Sequence, residues 1–173
     1  LNGSYMGYFS QGEIQGAGVA VSGDTEIRGM FNRGMDGVGR IVTSRYEFTG
    51  AFRNGMPTFG EAVRDGVRYV GPFEETNGKP SPHGFGQLTN EEYAYSGEIA
   101  GGYPDGEGVI AFADGAKYVG ALSSGAAHGD GYYANGKGSE YACLFRSGRP
   151  QDPQPEDSAK TIADFFILSE SSR

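Results

Sequence analysis

YSGEIAGGYPDGEGVIAFADGAK, residues 95–117, is followed directly by YVGALSSGAAHGDGYYANGKGSE, residues 118–140. Each stretch begins with a tyrosine, has glycine two positions later and an aliphatic residue four positions later, and then carries three more glycines at matching positions. Side chains at i, i+2 and i+4 share one face of a β-strand, so each opening predicts a strand and the later glycines predict its returning partner. The two stretches are therefore successive copies of one short β-hairpin.

The same frame extends along the rest of the array. Units open near residues 5, 27, 48, 69, 95 and 118, with a half unit at 141. In the half unit, Cys143 stands where the other units have glycine. The spacing slips at 27–68, where Phe59-Gly60 replaces the Gly-x-Gly, and we expect irregular structure there. Asn2-Gly3 matches the turn that closes a preceding unit, so we expect the array to begin before this chain.

Turn residues close the hairpins at both ends. Asp114-Gly115 and Asn135-Gly136 predict type I′ turns, because aspartate and asparagine before glycine tolerate positive φ. Asn54-Gly55, Asn77-Gly78 and Ser124-Gly125 predict the turns at the other ends. Glycine opposite an aromatic ring leaves room for the ring to lie flat over the backbone, and it lets the sheet bend and twist.

These residues resemble the MORN-repeat family, whose unit reads roughly Tyr-x-Gly-x-Phe-x-x-Gly-x-x-x-Gly-x-Gly. The resemblance covers about residues 2–150 and is strongest at 95–140. It implies an all-β fold over residues 1–149, an elongated, twisted antiparallel meander of tandem β-hairpin repeats in a single-layer sheet. At about 4.8 Å between strands, six and a half hairpins would span roughly 60 Å.

A different pattern follows the array. The prolines of residues 150–157 predict a linker at which strand pairing stops. Glu156-Asp157-Ser158 favours a helix start, and residues 158–170 predict a short C-terminal α-helix. One side of this helix carries Ile162, Phe165 and Phe166. We expect the helix to cap the last open sheet edge, with partner binding or self-association as the alternative.

Composition and charge restrict the partners. The net charge of −8 over 173 residues disfavours nucleic acid and anionic membrane surfaces. A single cysteine, Cys143, suits a reducing compartment, and no apolar run approaches the roughly 20 residues of a membrane span. Any anion-binding face would lie in the first half, on Arg28, Arg33, Arg40, Arg45, Arg53, Arg64 and Arg68. Because acidic residues accompany these arginines, we favour a solvated, salt-bridged face.

No pattern indicates catalysis, a metal or a cofactor. His83 and His128 occupy equivalent positions in separate repeats, whereas a zinc site needs three or four ligands. The segment ending at Lys137 nearly matches a P-loop, but it enters a hairpin turn, and a P-loop joins a strand to a helix. We therefore expect a protein that is not an enzyme and has no cofactor.

The aromatic face of the sheet is the candidate binding surface. Its rings hold the sheet together by stacking, and a single layer leaves part of this face available to a partner. The candidate partner-binding residues are Tyr69, Phe73, Tyr95, Ile99, Phe112, Tyr118, Leu122, Tyr133 and Phe145, with Ile162, Phe165 and Phe166 of the C-terminal helix.

The leading functional interpretation is a scaffold or adaptor that binds protein partners, with self-association left open. The family resemblance implies a cytoplasmic structural component of the cytoskeleton, a cilium or a flagellum. Two alternatives remain: a peripheral membrane module that binds phosphoinositide headgroups, and the targeting module of a larger enzyme.

Overall fold

The computed structural model describes residues 3–137 and 139–151, and most of them lie in β-strands. The chain divides into two compact units, Leu1–Ser81 (unit 1) and Pro82–Arg173 (unit 2). The strands of unit 1 are β1 (Gly3–Ser10), β2 (Glu13–Ser22), β3 (Thr25–Asn32), β4 (Gly34–Val42), β5 (Tyr46–Arg53), β6 (Met56–Arg64), β7 (Val67–Thr76) and β8 (Lys79–Pro82), which ends at the first residue of unit 2. The strands of unit 2 are β9 (Gly84–Thr89), β10 (Tyr93–Ala100), β11 (Tyr103–Phe112), β12 (Lys117–Ser123), β13 (Ala126–Ala134), β14 (Glu140–Arg146) and β15 (Arg149–Pro150).

Within each unit the strands pair in chain order as an antiparallel meander. Each strand from β1 to β7 pairs with the next, and β8 pairs with β7. Each strand from β9 to β15 likewise pairs with the next. The all-β, antiparallel hairpin array is confirmed, and no helix, membrane-spanning or other, occurs in the described residues. The predicted helix at 158–170, with Ile162, Phe165 and Phe166, lies outside them.

A row of glycines crosses the strands of each unit at one register position, here called the glycine row. In unit 1 the row runs through Gly7, Gly18, Gly29, Gly39, Gly50, Gly60 and Gly71. In unit 2 it runs through Gly86, Gly97, Gly108, Gly120, Gly131 and Cys143. The irregularity expected at 27–68 is limited to register shifts between Gly29 and Phe31 and between Ala51 and Phe52, which resemble those in β10 and β12. The glycine row continues through β3 to β6, and the single Gly60 supplies the one glycine that the register requires.

Large side chains cover one face of each sheet beside the glycine row, and we call it the ring face. Tyr118 shows how the rings pack. A Cβ added to Gly131 would lie 2.6 Å from the Tyr118 hydroxyl oxygen, and one added to Gly120 would lie 2.9 Å from it. The tyrosine ring therefore occupies the space that side chains at the glycine row would need, so glycine there is a packing requirement.

The tight hairpin turns fall only partly where the sequence predicts them. Asn54-Gly55, Asn77-Gly78 and Ser124-Gly125 each have positive φ at both residues, as type I′ turns require. Asp114 and Asn135 do not, so the type I′ prediction at these two sites is wrong. Their side-chain oxygens instead accept backbone N–H bonds within longer loops, Asp114 from Ala116 and Asn135 from Lys137 and Ser139. A loop of this length has no need of two left-handed residues.

Strand pairing continues past the point where proline was expected to stop it. Pro150 pairs with Phe145 in β15, and the Gln151 amide donates to the Leu144 carbonyl at 2.8 Å. Proline lacks a donor, but a short strand at the end of a sheet does not require one from every residue.

Candidate interaction surfaces

The ring face holds the residues predicted from the sequence to bind a partner, and most of them are buried within the chain. Phe73 and Phe112 are half-buried. Side chains exposed by 5% or less are Tyr69, Tyr95, Ile99, Tyr118, Leu122, Tyr133 and Phe145. The face that was expected to stay partly open is therefore largely closed by its own packing.

Edge-to-face ring contacts contribute to this closure. In unit 1, Phe48 lies 5.0 Å from Phe52 and 5.2 Å from Phe73, centroid to centroid, and Tyr69 lies 5.1 Å from Phe73. In unit 2, Tyr118 meets Phe145 at 5.1 Å and an interplanar angle of 82°. This arrangement places the positive edge of one ring on the negative face of another and is the favourable one for aromatic pairs.

The tyrosine hydroxyls bond to the backbone of their own strands. Those of Tyr69, Tyr95 and Tyr118 donate to the carbonyl three residues later, at 2.7, 2.6 and 2.7 Å. In β10 and β12 the register shifts at that residue, and such a bulge leaves a carbonyl without its ladder partner. The hydroxyl satisfies this carbonyl.

Burial raises the pKa of the Tyr95 and Tyr118 hydroxyls. Loss of solvent around the ring raises the pKa of Tyr118 to about 12, and it also raises the pKa of Tyr95, with nearby carboxylates such as Glu98 adding to the effect. A neutral hydroxyl remains a donor at ordinary pH, so the bonds to the bulge carbonyls persist. Around these residues the ring face is a closed structural layer, whereas Phe9 in β1 is exposed by 61%. Binding of a partner by the residues of this face stays a prediction.

The opposite face, which we call the open face, was missed by the sequence reasoning. Each glycine-row residue has an open-face neighbour on either side, and in unit 1 the neighbour on the side of the β1–β2, β3–β4 and β5–β6 turns is apolar in every strand from β1 to β7. We call this set the apolar strip. Its members are Tyr8, Ala17, Met30, Val38, Ala51, Phe59 and Pro72. Tyr8 is exposed by 73%, Val38 by 69%, Phe59 by 55% and Met30 by 47%. Alternation between glycine-row positions and apolar neighbours was the sequence signal that could have identified it.

Arginine–glutamate pairs flank the apolar strip of unit 1. Arg40 bonds to Glu47 at 2.8 Å and Arg68 to Glu61 at 2.7 Å, and Arg28 lies against Glu26. The hydrogen bond from Arg68 lowers the pKa of Glu61. Arg33 and Arg64 also have carboxylate partners. The salt-bridged face expected for these arginines is therefore observed for five of the seven.

The open face of unit 2 differs at the same positions. The residues equivalent to the apolar strip there are Phe85, Glu98, Glu107, Ala121, Asp130 and Leu144. One row further along the strands, Val109 pairs with Val119 and Val119 with Tyr132. These three side chains are exposed by 39–45%. An apolar row and a row of carboxylates thus lie side by side on this face.

His83, His128 and Lys137 do not come together in one site. His83 lies between β8 and β9, and His128 lies in β13, both exposed. Lys137 follows β13 in a turn that leads to another strand, not to a helix. Across residues 3–137 and 139–151, no group of three or more His, Cys, Asp and Glu side chains is placed to hold a metal ion.

Successive hairpins that pair in chain order, with glycine at one register position and rings on one face, define a β-hairpin repeat protein. The family model described as "MORN repeat" matches residues 5–25, in unit 1, and residues 95–117, in unit 2. The chain therefore carries MORN repeats, and the resemblance to the MORN-repeat family is confirmed. Repeats of this family generally mediate protein or membrane interactions and are generally not catalytic. Comparison with curated proteins gives no match.

Proposed function

We propose that the chain is a non-enzymatic scaffold that binds protein partners through the open face of unit 1. The observation that carries this proposal is the apolar strip, which extends over seven adjacent strands. Contiguous exposed apolar surface marks interaction sites in soluble proteins. At about 4.8 Å between strands, the strip is about 29 Å long, which suits an extended segment or a helix of a partner.

The charges beside the strip favour a protein partner over a lipid surface. An anionic membrane would have to draw Arg28 and Arg40 away from Glu26 and Glu47, which already neutralise them. Alternating charges of both signs instead suit the polar rim of a protein interface. Peripheral binding to phosphoinositides is the alternative, and we expect it to be negligible at physiological salt.

The test compares two pairs of substitutions on the same face. Val38→Glu with Phe59→Glu places charge in the apolar strip, and Val21→Glu with Val63→Glu makes the same change in charge two rows away, where the side chains are exposed by 40% and 38%. Tagged full-length chains are isolated from their native cells, and the co-purifying proteins are quantified. We expect the strip variant to lose specific partners that the control variant keeps. Retention of the same proteins by both variants would exclude the strip as the interface.

Lipid binding is tested separately by flotation with phosphoinositide-containing vesicles. We expect no flotation of the chain above that with neutral vesicles. Salt-sensitive flotation that disappears in Arg28→Gln, Arg33→Gln, Arg40→Gln would establish the membrane module instead.

We further propose, on the family resemblance, that the scaffold serves the cytoskeleton, a cilium or a flagellum in the cytoplasm. Imaging of the tagged full-length protein checks this placement. We expect fluorescence along a cytoskeletal or axonemal structure. Uniform fluorescence that is the same for the chain and for its Val38→Glu, Phe59→Glu variant contradicts this placement.

A further inference from the structure

The open face of unit 2 joins an apolar row to a row of acidic residues. Val109, Val119 and Tyr132 occupy neighbouring positions in β11, β12 and β13, and their side chains are exposed by 43%, 45% and 39%. Glu107 and Asp130 lie two residues before Val109 and Tyr132 on the same strands, and hence on the same face. We call the first set the valine row, and Glu98, Glu107 and Asp130 the carboxylate row.

The carboxylate row has no cation partner among the described residues. The five ion pairs described above all lie in unit 1. Glu140, at the far side of the valine row, accepts a hydrogen bond from the Tyr132 hydroxyl. Three exposed carboxylates therefore lie beside exposed apolar groups, and Lys117, two residues before Val119, lies on the far side of the valine row from them.

The spacing of the two rows matches a helix that lies across the strands. Neighbouring strands are about 4.8 Å apart, so the valine row spans about 10 Å. Along one side of a helix, the side chains at positions i, i+3 or i+4, and i+7 follow one another at distances of about 5–6 Å. Together they cover about 10.5 Å of the helix axis. The carboxylate row runs parallel to the valine row about 7 Å away, which is within reach of a lysine or arginine on the flank of such a helix.

We propose that the open face of unit 2 binds a basic amphipathic helix of a protein partner. The apolar side of the helix packs on Val109, Val119 and Tyr132, and lysine or arginine on one flank faces Glu98, Glu107 and Asp130. The inference rests on the proposed role in protein binding and names the partner's chemistry at a second surface. Carboxylates at this position repel anionic lipid and nucleic acid, so charge complementarity selects the basic helix.

The probe is a synthetic peptide of about 18 residues, about 27 Å long as a helix, with leucine at i, i+3, i+4 and i+7 spacing and lysine along one flank. Its matched control replaces each lysine with glutamate. Binding to the full chain is followed by backbone amide shifts in NMR spectra and by titration calorimetry. We expect shifts concentrated in β10 to β13 with the lysine peptide, none with the glutamate peptide, and affinity that falls with added salt.

A matched pair of charge variants and one valine variant locate the site on the chain. Glu98→Gln, Glu107→Gln, Asp130→Asn removes three charges from the face, whereas Glu75→Gln, Glu91→Gln, Glu92→Gln removes three charges elsewhere. We expect about a tenfold weaker Kd for the first variant and less than about a twofold change for the second. Val109→Thr with Val119→Thr keeps strand-forming residues, and we expect several-fold weaker binding without a change in melting temperature.

Equal weakening by the two charge variants would show attraction by net charge alone and overturn the proposal. Shifts spread over unit 1, or affinity that is unchanged by the valine substitutions, would overturn it as well. The Val38 and Phe59 variants test the proposed scaffold function independently, because they lie on the apolar strip of unit 1. A failure at either surface is therefore distinguishable from a failure at the other.

Discussion

The ring faces of unit 1 and unit 2 are alike at Tyr69 and Tyr118, whereas their open faces differ. Tyr69 in unit 1 and Tyr118 in unit 2 are both fully buried, and both donate a 2.7 Å hydrogen bond to the carbonyl three residues later. At the positions of the apolar strip, unit 1 is apolar in all seven strands from β1 to β7, whereas at the equivalent positions three of the six strands from β9 to β14 carry carboxylates.

This comparison separates the residues that specify the fold from those available for binding. A glycine-row position is constrained because a ring lies over it, as at Gly131 beneath Tyr118. The next residue points to the other face, where the fold accepts phenylalanine at 59 and aspartate at 130. Variation on the open face changes what the sheet binds while leaving the hairpins intact.

The largest expected effect follows from removing a ring in either unit. Tyr69→Ala and Tyr118→Ala should each lower the free energy of unfolding by about 3–5 kcal/mol, because each leaves a cavity over the glycine row. Urea denaturation followed by circular dichroism measures this loss. Val119→Thr, on the open face, is the matched control and should change the free energy by less than about 0.5 kcal/mol. A large loss in one unit alone would break the equivalence of the two ring faces.

A smaller effect concerns the hydroxyl bond at the strand bulge. Phe48 stands where most units have tyrosine, and the carbonyl three residues later, that of Ala51, accepts a bond from the Thr58 hydroxyl at 3.2 Å. Tyr118→Phe in unit 2 and Thr58→Val in unit 1 should therefore have the same consequence, a loss of about 1–2 kcal/mol from an unpaired carbonyl. If Thr58→Val proves neutral while Tyr118→Phe does not, the two bonds are not equivalent.

Alkaline pH sharpens the same point. An unfolded tyrosine ionises near pH 10, whereas burial raises the pKa of Tyr118 to about 12. Between these values the unfolded state releases a proton that the folded state keeps, so stability, complete below pH 10, falls as pH rises toward 12. Denaturation midpoints at pH 8 to 12 should show this decline, and it should be shallower in Tyr118→Phe. An equal decline in that variant would mean that other groups cause it.

The smallest effect is expected from the open face of unit 2. Glu107→Val with Asp130→Ile makes its row resemble that of unit 1, and we expect a change of less than about 1 kcal/mol in the free energy of unfolding. Binding of a hydrophobic dye should increase, because apolar area is added to an exposed surface. A strongly destabilised variant would show that the carboxylates belong to the fold.

Periodicity predicted the strands because aromatic residues and glycines alternate at fixed spacing from Tyr5 to Phe145. It did not predict that Tyr118 is fully buried, since the ring closes the layer only when it lies flat on glycines of two neighbouring strands. Nor did it predict the apolar strip, because Val38 and Phe59 become neighbours of Ala51 only once the register of β4, β5 and β6 is fixed. The predicted type I′ turns at Asp114 and Asn135 were wrong because the side-chain oxygens of these residues stabilise longer loops.

Hydroxyl-radical footprinting of the full chain, free and with its co-purified partners, tests most directly whether the ring face is closed and the open face binds. In the free chain, Met30 and Phe59 should be oxidised rapidly, and Tyr95 and Tyr118 slowly, because the former are exposed and the latter buried. Partners should protect Met30 and Phe59 and leave the slow rates unchanged. Rapid oxidation of Tyr95 and Tyr118 that partners suppress, with Phe59 unaffected, would contradict the account and place binding on the ring face.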